Sequence, residues 1–232
     1  MLAPMTRGPR AVRRTTAVLT TGLVLGLGGC GGLGQPAPYD SPGINGLVVP
    51  TPSPEPADFV DTVDNPWLAL EPGSRRTYDV RDGARDLGTI EVEVLEPTVP
   101  VAGLDATAVR ATTDLDDGPG RTSSVETRLY AQDVAGNVWL VGADGDTGDW
   151  RAGEDGAQAG LAMPADPRLG DGWLSYDVPG LPRASQTIED QSATLVQLRD
   201  EAGTTTRTVY EKGAGLVGLV DLDDGWSAEP AD

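Results

Sequence analysis

Apolar and polar residues alternate along much of this chain. The clearest run is Thr89-Ile-Glu-Val-Glu-Val-Leu95. It sets Ile90, Val92 and Val94 on one side and Glu91 and Glu93 on the other. A strand turns successive side chains to opposite faces, so this pattern predicts a half-buried strand. Arg76–Val80, Asp105–Thr113, Arg121–Ala131, Val138–Val141, Trp173–Asp177, Ala193–Arg199, Thr204–Glu211 and Leu216–Leu222 read the same way. Asp-Gly, Gly-Asn, Pro-Gly and Ala-Gly pairs punctuate them with turn chemistry. The centre of the chain is Tyr130 to Pro167, where Arg128–Ala131 and Asn137–Val141 flank a turn at Asp133–Gly136. Helical signals are few: one turn over Ala157–Ala162, and a short helix over Asp58–Asn65 that Pro66 would end, because a residue before proline disfavours the helical region. The expected fold is mainly β. It is a single domain over residues 58–226, built on a curved antiparallel sheet or partly open barrel with few short helical turns. Residues 227–232 carry no pattern and are expected to be a disordered tail.

The pattern changes before residue 58. Arg7, Arg10, Arg13 and Arg14 precede an apolar run from Ala17 to Gly29 with no acidic residue among them. About thirteen residues are too few for a spanning helix, which needs roughly 20. They suit the apolar region of a secretory signal. The run ends in Leu27-Gly28-Gly29-Cys30, which resembles the lipobox of bacterial lipoproteins. The resemblance implies removal of residues 1–29 and lipidation of Cys30. Arg13-Arg14 leaves both the general and the twin-arginine export routes open. From Gly31 onward, prolines at 36, 38, 42, 50, 52, 54 and 56 predict a disordered tether over 30–57. Extended proline-rich chain spans about 3.1 Å per residue, so this tether reaches up to ~80 Å from a membrane.

Composition narrows the chemistry. Removing the four leader arginines leaves 13 basic residues against 36 acidic ones, a formal charge of −23. Phosphate contacts need Lys or Arg, so this balance argues against a nucleic-acid partner. The chain contains no His, which excludes Ser–His–Asp catalysis and His-ligated zinc. Cys30 is the single cysteine, so no intrachain disulfide and no thiol nucleophile of the folded domain exist.

Four segments carry a family resemblance. They are Asp64-Asn-Pro-Trp-Leu-Ala-Leu-Glu-Pro-Gly73; Tyr130-Ala-Gln-Asp133 with Gly136-Asn-Val-Trp139; Trp150-Arg-Ala-Gly-Glu-Asp-Gly-Ala-Gln158 with Met163-Pro-Ala165; and Lys212-Gly-Ala-Gly-Leu-Val217. Together they resemble an uncharacterised family of exported bacterial proteins, many of them lipoproteins, across about residues 61–220. Trp67 stands where Tyr or Phe is usual, Ala69 replaces a proline, and Pro179–Gly203 matches poorly. The resemblance implies architecture and an extracytoplasmic location. It brings no activity and no site residue.

Candidate sites come from residue chemistry alone. The loop around Trp150, Glu154, Asp155 and Gln158 is the candidate ligand-facing loop. Glycines at 153, 156 and 160 let the backbone pass close to a ligand or to the domain's own core. Asp144, Asp146 and Asp149 are weak candidates for a cation, since hard cations take carboxylate oxygens. They miss the EF-hand spacing, and a solvated loop is the plainer reading. Asp114, Asp116 and Asp117 form a second acidic turn of the same kind. Glu154 with Asp155 or Asp171 is a remote carboxylate pair for glycosidic chemistry. Trp67, Trp139, Trp150, Trp173 and Trp226 suit core pillars better than a sugar platform. No cofactor and no catalytic residue is expected. The expected protein is a lipoprotein on the extracytoplasmic face of the cell membrane, anchored there by its lipid. Its β domain is a non-catalytic binding module for a lipid, glycan or envelope protein. The alternatives are a structural or assembly lipoprotein without a small-molecule ligand and, remotely, a carboxylate-dependent hydrolase.

Overall fold

Alternation of the kind seen at Ile90–Val94 produces strands throughout, and almost no helix. The structure is a computed structural model that describes residues 55–116, 120–146 and 148–231. The leader 1–29, Cys30, nearly all of the 30–57 tether, and Asp117 lie outside the described residues. After a 3-10 turn at Pro56–Asp58 come β1 (Phe59–Val60), β2 (Arg75–Asp82), β3 (Arg85–Val94), β4 (Val99–Val101), β5 (Leu104–Asp116), β6 (Arg121–Asp133) and β7 (Val138–Asp144). Then follow β8 (Trp150–Arg151), β9 (Gln158–Met163), β10 (Gly172–Asp177), β11 (Ala184–Gln191), β12 (Leu195–Glu201), β13 (Thr205–Glu211), β14 (Gly215–Asp221) and β15 (Ser227–Pro230). Among the described residues no helix is long and apolar enough to cross a membrane.

The strands form one antiparallel sheet in the order β1-β6-β5-β3-β2-β15-β14-β13-β12-β11-β10-β9-β7-β8, with β4 on β5. Because β6 also pairs with β7, the ladder closes on itself. The curl is irregular. β9 and β10 share only two residue pairs, β14 and β15 likewise, and bulges interrupt several ladders. The result is a sheet curled until its ends meet, not a regular barrel.

Three expectations are corrected. The short helix over Asp58–Asn65 is instead β1 followed by bends, because Phe59 and Val60 pair with Asp133 and Gln132. The helical turn over Ala157–Ala162 is β9. Alanine is a good helix former, but propensity is a weak prior and pairing on both sides overrides it. The carboxyl tail is not disordered over 227–230. It forms β15, which bridges β14 and β2 and buries Ala228.

The core lies inside the curl. Its main cluster joins Trp67, Leu104, Leu129, Trp139, Leu161, Trp173, Val196 and Leu198, and a smaller one joins Tyr78, Val80, Leu87, Ile90 and Ala228. Trp67, Trp139, Trp150 and Trp173 are all buried, while Trp226 packs half-buried against the smaller cluster.

Segment 61–70 crosses one end of the strands. At one side the Asn65 backbone N–H donates to Gln132 Oε1 at 2.8 Å. At the other the Gly213 N–H donates to the Pro66 carbonyl at 2.7 Å, and Lys212 Nζ sits 5.6 Å from the Trp67 ring centre. The outer face of β2, β3 and β5 carries ion pairs. Arg75 bridges Glu91 and Glu93 at 2.9 Å each, and Arg110 joins Glu93 from β5.

Candidate functional site

The two ends of the strands differ in chemistry. At the end crossed by 61–70, polar side chains are consumed by structure. Asp133 is buried and accepts from the Ala135 and Asn137 N–H groups at 2.9 Å each, from Asn137 Nδ2 at 3.0 Å and from Trp139 Nε1 at 2.9 Å. Asn137 Oδ1 takes the Ala165 N–H at 3.0 Å. Asn65 Nδ2 donates to the Gly136 and Pro164 carbonyls. A buried polar group is costly unless it is paired, and each of these is. Parts of all four segments that carry the family resemblance therefore meet here, and these parts act as scaffold.

The candidate loop lies at the opposite end. Trp150, Glu154 and Asp155 line a half-open cleft of about 410 Å³, together with Asp144, Asp149, Arg151, Ala157, Val178 and Pro179. Gln158 is not among the lining residues; it is exposed and pairs with Asp177. Trp150 is buried, and its ring stands 5.6 Å from that of Tyr176. Glu154 and Asp155 are exposed. Gly153 and Gly156 are explained by turns. Asp155 and Gly156 have φ of 48° and 82°, the two left-handed positions of a tight turn that the Ala157 N–H to Glu154 carbonyl bond closes at 2.8 Å.

The weak cation candidates are separated by their own partners. Asp144 holds Arg151 in a bidentate pair at 2.7 and 2.9 Å. Asp149 accepts the Gly145 N–H at 3.2 Å, and Asp146 is exposed. Among the described residues no group of three or more carboxylates is placed to share an ion. Glu154 and Asp171 lie at opposite ends of the β9–β10 pair, because Gln158 faces Asp177 and Asp171 precedes β10. That carboxylate pair is not assembled. Asp171 keeps one buried oxygen without a hydrogen-bond partner, and burial pushes its carboxyl upward.

A second polar group went unseen in the sequence. Glu126, Arg128 and Tyr130 share one face of β6 by their i, i+2 spacing. Asp200 lies on β12 and Tyr210 on β13, strands that do not neighbour β6 in the sheet. Arg128 and Tyr130 nevertheless lie within electrostatic reach of Asp200 and Tyr210, and both tyrosines pack against the main core cluster. Arg128 keeps 53% of its side-chain surface accessible. Glu126 pairs with it at 3.0 Å. Asp200 accepts from Thr208 Oγ1 at 3.2 Å and from Gln186, whose Oε1 receives Trp173 Nε1 at 3.0 Å.

Burial dominates the electrostatics of this group. It pushes the Asp200 carboxyl upward, against Gln186, Arg128 and Thr208, which favour the charged form. It raises the hydroxyls of Tyr130, Tyr176 and Tyr210 above the ordinary phenol value. For Arg128, burial works against the charge, but the oxygens around it, from Tyr130, Glu126 and Asp200, prevail and hold it above the ordinary guanidinium value. The arrangement supplies aromatic faces, donors and acceptors, and it lacks an activated nucleophile.

Comparison with known proteins adds no relative: no family model, no curated protein and no solved structure matches the chain.

Proposed function

We infer that the chain is a lipoprotein on the extracytoplasmic face of the cell membrane, held there through Cys30. Its β domain is a non-catalytic module that binds an extracellular ligand. The leader, the Leu27–Cys30 motif and the proline-rich tether support the anchoring. The observation that carries the binding reading is Arg128, a guanidinium 53% accessible and paired with Glu126 at 3.0 Å, which we take to face water within the curl, where a purely structural domain would place apolar side chains. The chain has no His, and Glu154 and Asp171 lie at separate ends, so neither lends support to hydrolysis.

Two measurements test this reading together. The Cys30→Ser chain should move from the membrane fraction to the soluble one; retention in the membrane would contradict the anchor. Native mass spectrometry of the mature chain, exported and purified under mild conditions, should reveal an added mass that denaturation removes. A bare mass across several growth conditions, with no binding in a titration against envelope extracts, would contradict the module.

A further inference from the structure

We propose that the cleft beside Trp150 docks a basic segment of a partner protein, with one cationic side chain laid along its apolar floor and the charge held at its acidic rim. This surface is separate from the group around Arg128, and the inference does not rest on that group.

The first support is a built cleft. Its walls are β8, the β8–β9 turn that carries Glu154 and Asp155, and the loop after β10 that carries Val178 and Pro179. Short distances join these pieces. The Ala152 N–H just after β8 donates to the Val141 carbonyl of β7 at 2.8 Å. The Trp150 ring stands 5.6 Å from that of Tyr176 on β10. A Cβ placed on Gly156 would lie 3.4 Å from Pro179 Cγ, so the turn and the loop stand side by side. The volume of about 410 Å³ falls within the range of ligand clefts, roughly 300–1,000 Å³.

The second support is the chemistry of the lining. Trp150, Val178 and Pro179 give it apolar surface, and Val178 packs in turn against the main core cluster. Lysine and arginine lay their aliphatic stems along such surface and keep the charged head in water. Asp144, Asp149, Glu154 and Asp155 against Arg151 give the lining a formal charge of −3. Arg151 is committed elsewhere. It holds Asp144 at 2.7 and 2.9 Å and donates to the Ala143 and Trp150 carbonyls at 3.1 and 2.8 Å. Glu154 and Asp155 stand exposed at the rim.

The same lining disfavours other occupants. An anion meets like charge. A bare metal ion lacks its ligand set, because among the described residues no three carboxylates are placed to share one. The acidic field also extends past the cleft. Asp146 and Asp177 are exposed beside it, and Asp223 and Asp224 are exposed on the β14–β15 turn at the same end of the strands. A ligand with charges spread along a chain meets more of this field than a compact cation does. Complementary charge of this kind speeds encounter and fixes register.

The test uses the mature lipidated chain in neutral detergent micelles at about 0.15 M salt, where charges far apart are screened. The probe is a rhodamine-labelled decapeptide of alternating lysine and glycine, followed by fluorescence anisotropy. It should bind saturably. The dissociation constant should rise about fivefold or more in the Glu154→Gln, Asp155→Asn double variant. The Asp61→Asn, Glu71→Gln control removes the same charge from exposed positions at the other end and should change it by less than about twofold. If the double variant fails to fold, Glu154→Gln alone carries the test, with a rise of about twofold or more expected. No saturable binding overturns the proposal. Equal weakening by both double variants also overturns it, since net charge alone would then attract the peptide. Displacement of the peptide by spermine at an equal concentration of charge overturns the protein-partner assignment in favour of a small polyamine.

Discussion

At the scale of single residues, Asp133 shows how this chain spends a buried charge. A carboxylate without water needs donors, and Asp133 has them from Ala135, Asn137 and Trp139. Those partners lie two, four and six positions onward, so one hairpin supplies its own counter-dipoles. Trp139 contributes more than its N–H. Its ring is 6% exposed and belongs to the main core cluster. Trp139→Ala should cost about 3–5 kcal/mol, the range for truncating a large buried aromatic. Urea denaturation measures this directly, and a loss below about 1 kcal/mol would show that the ring is not a pillar. Asp200 is the counterpart at the other end. Its partners are fewer, burial outweighs them, and its carboxyl is held upward.

At the scale of elements, the sheet contains close backbone approaches that only glycine permits. At Gly160 of β9 an added Cβ would lie 2.2 Å from the Ser175 carbonyl carbon and 2.4 Å from the Leu174 oxygen. Those are backbone atoms of β10 and cannot swing aside. Gly160→Ala should therefore force the β9–β10 seam apart, at a cost on the order of 1–3 kcal/mol or more. Thermal unfolding checks this, and an unchanged midpoint would mean the seam is looser than described. The seam also explains what the sequence left illegible. β3 could be read because Glu91 and Glu93 alternate with three β-branched residues. β9 could not, because Ala157–Ala162 has no such contrast and its strand state is imposed by neighbours. β11 was hidden for another reason: Ala184-Ser-Gln-Thr-Ile-Glu-Asp-Gln191 is polar on both faces apart from Ala184 and Ile188. β15 has only Ala228 to bury. In the candidate site, the loop around Trp150, Glu154 and Asp155 was legible from its glycines and acids, although Gly153 and Gly156 serve turns. The polar face Glu126–Arg128–Tyr130 was visible as spacing, but its partners were not. Asp200 and Tyr210 come within electrostatic reach of it only because the sheet closes through β6 and β7, and no local pattern encodes that closure.

At the scale of the whole molecule, the described residues divide into a scaffolding end and a water-facing end. The first is crossed by segment 61–70 and tied by Asn65, Gln132 and Gly213. The second carries the cleft beside Asp155 and the interior around Arg128. The binding account needs that interior to hold water, and this can be measured without knowing the ligand. Cys30 is the single cysteine, so a Cys30→Ser background is free of thiols. In that background the Thr208→Cys and Leu198→Cys variants place one thiol each on the inward face, the first beside Asp200 and the second at a fully buried position. A charged, water-soluble methanethiosulfonate should modify the Thr208→Cys variant rapidly under native conditions and leave the Leu198→Cys variant protected until it unfolds. Equal protection of both would mean that the interior is packed and dry, and the binding account would fail.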